Sequence, residues 1–122
     1  PLSVAQRGVK RYTQLGISPR KLILGTPWYG YHYPCMNSGP ADDVCEIKLV
    51  PFRGVNCSDA AGSEVVFMDI MNLFDRGVCP PGGSSNDRCK VTTGLRWDDS
   101  TQSPYFNYMV NGTHLWQVWF DN

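Results

Sequence analysis

The sequence predicts an α/β fragment, one helix followed by one strand, carrying an α+β insertion. Three observations predict it. A helical stripe runs directly into Lys21-Leu22-Ile23-Leu24-Gly25, which is apolar on both faces like a central parallel strand. A second stripe of helical spacing lies among cysteine-rich loops. Two long aromatic runs then flank Asn111-Gly112, the strongest short hairpin signal.

Ser3 caps the first helix in this reading, with Gln6 completing a capping box. Ala5, Val9, Tyr12 and Gly16 share one face, and Arg7, Lys10, Arg11 and Gln14 form a solvated face outside it. Gly16 supplies the left-handed residue after the helix, Ile17 the apolar contact that follows, and Pro19 blocks a restart. A single helix and strand cannot make a parallel sheet, so the N-terminal part reads as a piece of a larger α/β domain.

Residues 34–51 are loop-rich, with Cys35, Cys45, Asn37-Ser38-Gly39-Pro40 and the acidic pair Asp42-Asp43, ending in a strand over 47–52 limited at Pro51. Phe67, Ile70, Met71 and Phe74 predict a second amphipathic helix closed by Gly77. Residues 78–90 form a Pro/Gly-rich loop that a Cys79–Cys89 bridge would close. A short strand is expected over 94–98. A two-residue type I′ turn would then set Val110 opposite Thr113, Tyr108 opposite Leu115 and Asn107 opposite Trp116.

Composition narrows the function. The chain has 122 residues, 42% hydrophobic, and 11 Lys+Arg balance 11 Asp+Glu. A formal charge of zero removes the electrostatic footprint that nucleic acid or anionic lipid demands, so neither is expected as a partner. The longest apolar runs fall far short of a bilayer span, and no charged-then-apolar leader opens the chain. The five cysteines Cys35, Cys45, Cys57, Cys79 and Cys89 are disulfide candidates and point to an oxidising compartment. Their odd number leaves at least one thiol free or paired outside these residues. Two N-x-[ST] sequons, at Asn56 and Asn111, are glycosylation candidates and lean toward a secreted or lysosomal protein.

Self-contained catalytic chemistry is not visible. Glycoside hydrolysis normally needs a positioned carboxylate pair, and neither Glu46 nor Glu64 sits in such a pattern. Asp42-Asp43 with Glu46 reads as a hydrated acidic turn, and Asp98-Asp99 as a turn or cap. His32 and His114 lack partners at metal-ligand spacing, so neither metal nor cofactor is expected. No nucleophile elbow or phosphate-binding glycine loop occurs. What stands out is Pro27-Trp28-Tyr29-Gly30-Tyr31-His32-Tyr33-Pro34, an aromatic cluster after the apolar strand, where α/β folds place their sites. Aromatic faces with polar tips suit stacking under pyranose rings, and Gly30 lets the backbone come close.

The stretch from Ser18-Pro19-Arg20 through Leu24-Gly25-Thr26-Pro27-Trp28-Tyr29-Gly30-Tyr31 resembles the seventh barrel strand of glycoside hydrolase family 18. The resemblance continues through Val50-Pro51-Phe52-Arg53-Gly54, Cys57-Ser58-Asp59-Ala60-Ala61-Gly62, Pro104-Tyr105-Phe106-Asn107-Tyr108 and Gln117-Val118-Trp119-Phe120-Asp121-Asn122, and lapses between about 74 and 93. It implies a partial (β/α)8 TIM barrel taken from the C-terminal part of such an enzyme. Residues 1–33 would supply a barrel helix and strand, 34–120 the α+β insertion, and 121–122 the return to the barrel. The rest of that barrel would be the partner of this segment.

The family's D-G-x-D-x-D-x-E signature has no counterpart here, so the segment carries no catalytic residue. Its implied role is a wall of the groove. In the family the signature Glu protonates the leaving oxygen and the substrate's own N-acetyl carbonyl acts as nucleophile. The implied substrates are chito-oligosaccharides, including the N-glycan core, from which single N-acetylglucosamine units are released. Tyr29 matches the Tyr of the G-x-P-x-Y-G motif, which borders the substrate. Trp28, Tyr31, Tyr105 and Trp116 are further candidate walls, while Asp121 and Gly30 are structural. Tyr31 stands where family members often have Arg, and His32 where an acidic residue is expected. Two other readings share these residues: a lectin of the same fold that has lost the catalytic Glu, and a stand-alone cysteine-rich module.

Overall fold

The computed structural model describes residues 2–36, 39 and 44–121, and of Leu2 the backbone alone. Two helices, α1 (Leu2–Gln14) and α2 (Phe67–Arg76), accompany eight strands. These are β1 (Tyr29–Pro34), β2 (Leu49–Phe52), β3 (Val55–Ala60), β4 (Ser63–Val66), β5 (Cys89–Val91), β6 (Arg96–Asp98), β7 (Ser103–Val110) and β8 (His114–Phe120). One sheet runs β4-β1-β8-β7-β5, with β6 also on β7, and β2–β3 form a separate ribbon. Every strand pairing among the described residues is antiparallel.

This overturns the expected partial TIM barrel. Residues 22–25 join no strand, and Ile23 is 97% exposed. A strand apolar on both faces needs hydrogen-bonded neighbours on both edges and cover on both sides. These residues supply neither, and the strand-forming sequence is spent on local antiparallel pairs instead. The aromatic segment after 25, expected as a site at a strand end, is itself the strand β1, paired with β4 and β8.

Helix α1 begins at Leu2, so Ser3 lies inside its first turn and does not cap it. Its C-terminus closes as expected. Gly16 is left-handed (φ 84°), the Gly16 N–H reaches the Thr13 carbonyl at 3.0 Å, and the Ile17 N–H reaches Tyr12 at 3.1 Å, a Schellman pair. Helix α2 ends at left-handed Gly77 (φ 68°) and buries Ile70 and Leu73. With Val65, Phe106, Tyr108, Val118 and Phe120 they form the core, flanked by Phe67 and Phe74. The core lies between α2 and one face of the sheet.

The β7–β8 hairpin departs from its expected register by one residue: Val110 pairs with His114, Tyr108 with Trp116 and Asn107 with Gln117. Asn111 and Gly112 do take the positive φ of the turn (53° and 71°). Thr113 is the extra residue. Asn111 is gripped by the neighbouring loop, donating its N–H to the Arg88 carbonyl at 2.8 Å and accepting the Arg88 N–H on Oδ1 at 2.9 Å. The ribbon β2–β3 turns on Arg53-Gly54, both left-handed, and its register shifts at Pro51, as a residue without an N–H requires.

Candidate functional site

Strand β1 alternates in the period of two that a pleated strand imposes. Tyr29, Tyr31 and Tyr33 face away from α2, while Gly30 and His32 face the core side. Register aligns Tyr31 with Glu64 of β4 and with Trp119 of β8, Trp119 with Tyr105 of β7, and Tyr105 with Arg96 of β6. One row thus crosses five strands, with three aromatic residues at its centre and an acid and a base at its ends. At a strand spacing of about 4.8 Å the aromatic part is about 10 Å wide.

The rings are ordered by contact. Tyr105 and Trp119 stack at 4.3 Å with 15° between planes, Tyr29 meets Tyr31 edge-on at 6.0 Å, and Tyr31 and Tyr33 stack at 6.4 Å. Tyr29 and Tyr31 are 39% and 41% exposed, Trp119 is half-buried, and Tyr105 is buried beside it. The Trp119 indole N–H donates to Gln117 Oε1 at 2.9 Å, and Gln117 Nε2 donates to Asn107 Oδ1 at 2.7 Å. Both amides are buried, so their mutual bond removes a desolvation cost and fixes the indole plane. Trp119 and its amide support are the part of this row that reading the sequence missed. Burial, then the neighbouring Tyr31 and Asp59, raise the Tyr33 hydroxyl above its ordinary value of 10.0, so this phenol stays neutral near pH 7.

Trp28 lies just before β1. Its carbonyl accepts the Phe67 N–H at 2.9 Å, its ring meets Phe67 edge-on at 6.2 Å, and 76% of it is exposed. It borders a hollow of about 920 Å³ together with Val4, Leu24, Trp97, Gln102 and Asp121. The lining is overwhelmingly apolar. Pairing of β6 with β7 brings Trp97 here, and Gln102 lies in the turn that joins those strands; neither was a candidate from sequence.

Trp116 lies on the opposite, α2-facing side of the sheet from the row. It packs on His32 at 4.8 Å and borders a second hollow of about 380 Å³ with Met36 and His114. His32 is bonded through Nδ1 to the Tyr108 hydroxyl at 2.7 Å and through Nε2 to the Ser63 hydroxyl at 2.5 Å. Burial lowers the His32 pKa from 6.5 and raises that of Tyr108, so both are neutral near pH 7. One ring nitrogen then donates and the other accepts. The Thr101 hydroxyl first, then Ser100 and the Thr101 N–H, holds the Asp98 carboxyl below 3.8; this is the turn assignment made from sequence.

Cys79 pairs with Cys89, Cys35 with Cys45, and Cys57 is free and exposed. Among the described residues no three His, Cys, Asp or Glu side chains gather as metal ligands would, and no helix is long and apolar enough to cross a membrane. The Asp42-Asp43 pair lies outside the described residues.

Comparison with known proteins gives the chain its relatives. No family model matches it, and no solved structure does. Over all 122 residues it is 43% identical to the di-N-acetylchitobiase of Rattus norvegicus and 38% identical to that of Homo sapiens. Over 98% of its length it is 42% identical to the probable di-N-acetylchitobiase 2 of Dictyostelium discoideum. It spans only 28–30% of the length of these relatives. By sequence, the chain is similar to one segment, just under a third of the length, of proteins named di-N-acetylchitobiase.

Proposed function

We propose that the chain is a segment of a family 18 glycosidase that cleaves β-1,4-linked N-acetylglucosamine from chito-oligosaccharides, the N-glycan core included. Its reaction is retaining and substrate-assisted, and the catalytic carboxylate comes from the rest of the polypeptide. This segment contributes a wall of the substrate groove. The observation that carries the reading is similarity over the whole chain to proteins named di-N-acetylchitobiase, joined to the tyrosine strand β1, whose Tyr29 and Tyr31 present ring surface on the outer face. Pyranose rings have apolar faces edged by hydroxyls, and a half-exposed phenol offers both the flat surface and a polar tip. Trp28 lies one residue before that strand. Two disulfides suit a lysosomal or secreted location.

The test is substrate turnover in the full-length protein. Losing one stacking contact of about 1–1.5 kcal/mol lowers kcat/KM about 5- to 10-fold. Tyr29→Ala and Trp28→Ala should each show that loss on chito-oligosaccharides while the protein still folds, with the smaller fall in the thermal melt at Trp28, which is 76% exposed against 39% for Tyr29. Unaltered kcat/KM in both variants would remove the wall assignment.

A further inference from the structure

We propose that Asn56, and not Asn111, carries an N-linked glycan; the proposal rests on the lysosomal or secreted location given above. Both asparagines begin an N-x-[ST] sequon, Asn56-Cys57-Ser58 and Asn111-Gly112-Thr113, and the sequence does not separate them. The structure does. In the transfer, the asparagine Nδ2 attacks the anomeric carbon of an oligosaccharide held on a polyisoprenyl diphosphate. The C–N bond forms, the C–O bond to the diphosphate breaks with its electron pair, and Nδ2 gives up one proton. The acceptor must therefore reach the transferase before folding, and its fold must then tolerate a sugar in place of an amide hydrogen.

Asn56 meets both conditions. It is exposed on β3 of the outlying ribbon, and its side chain makes no hydrogen bond among the described residues. The local turn is held without it. The Ser58 hydroxyl donates to the Val55 carbonyl at 2.7 Å and accepts the Phe52 N–H at 3.0 Å. Cys57, the middle residue, is exposed and in no disulfide among the described residues. A two-stranded ribbon is marginal in isolation, which keeps the acceptor open while the chain folds.

Asn111 meets neither. Its Nδ2 donates to Asp87 Oδ1 at 2.8 Å, its Oδ1 accepts the Arg88 N–H at 2.9 Å, and its own N–H reaches the Arg88 carbonyl at 2.8 Å. A saccharide on Nδ2 would press into the 84–89 loop, which the Cys79–Cys89 bridge holds against the turn. Asn111 also sits in the Asn-Gly turn of the central hairpin. Strands β1 and β5 flank that hairpin, so the assembled sheet locks its turn, whereas the β2–β3 ribbon has no such neighbours among the described residues.

Glycopeptide mapping by mass spectrometry, on the full-length protein from a eukaryotic secretory host, decides the matter. The expected result is a glycan on the peptide containing Asn56 and an unmodified peptide containing Asn111. A glycan at Asn111, or none at Asn56, overturns the proposal. A non-reduced digest of the same sample separates two kinds of failure. Intact Cys35–Cys45 and Cys79–Cys89 with bare Asn56 sinks this inference alone, whereas reduced cysteines sink the location as well. In parallel, Asn56→Gln should lose one glycan in gel mobility and keep its melting temperature. Asn111→Gln should keep its mobility and melt lower, and the reverse pattern would refute the assignment.

Discussion

Replacing Gly30 by Ala should be among the most damaging single-methyl additions in this chain. Gly30 lies in β1 between β4 and β8, paired with Val65 and Phe120. A Cβ there would stand 2.7 Å from Phe120 Cβ and 2.9 Å from Ile70 Cδ1, and still closer to the Trp119 carbonyl. Ile70 is fully buried and the carbonyl belongs to the β8 backbone, so no rotamer change relieves the contact. Overpacking usually costs about 1–3 kcal/mol, and a backbone clash puts this site at about 3 kcal/mol. With a urea slope of about 1–3 kcal/mol per molar for small proteins, the midpoint should fall by about 1–3 M. Tryptophan fluorescence through a urea titration reads this directly. Gly94→Ala is the internal control, because a Cβ there meets nothing within 4 Å; it should be neutral or stabilise by about 0.4–1 kcal/mol. Equal midpoints for the two variants would refute the close approach at Gly30.

Acidification supplies another test. Burial holds the folded His32 pKa below 6.5, so the native state takes up that proton less readily than the unfolded chain. Stability attributable to His32 is therefore full above pH 6.5 and falls as pH drops from there through the lowered folded value. Urea midpoints across that window should decline, and His32→Gln should flatten the decline; an unchanged slope would assign the effect elsewhere. Converting Cys79 and Cys89 together to Ser opens a loop with a sequence separation of 10 residues. That should cost about 2–3 kcal/mol, visible as a lowered melting temperature, and an unaltered melt would show that the bridge does not constrain the loop.

Local signals were the legible ones. The stripe Phe67, Ile70, Met71 and Phe74 gave α2 with its glycine stop, because a helix face and its cap are written within a dozen residues. The Cys79–Cys89 closure and the Asn111-Gly112 hairpin are local in the same way. The turn's register was not legible, since it is set by Asp87 and Arg88 from outside the hairpin. That single residue of slip had a cost at the site. A two-residue loop puts Val118 opposite Tyr105, and only the observed register brings Trp119 onto Tyr105 and Tyr31. Read from sequence, the β1 residues form an aromatic cluster beyond the end of an apolar strand, and the structure makes them a strand themselves. Gly30 is there because neighbouring strands approach too closely for any side chain. Residues 21–25 went wrong in the opposite sense: their apolar character was plain, but pairing is a property of neighbours, and none of these residues offers one.

The sheet has two unlike sides. Ile70, Leu73, Phe106 and Phe120 lock one side to α2, while Tyr29 and Tyr31 stand on the other. Along β1, alternate residues thus face the core and present ring surface outward. Substitution at the odd-numbered tyrosines of β1 therefore leaves the α2 contact untouched, while the even-numbered positions keep the scaffold shut.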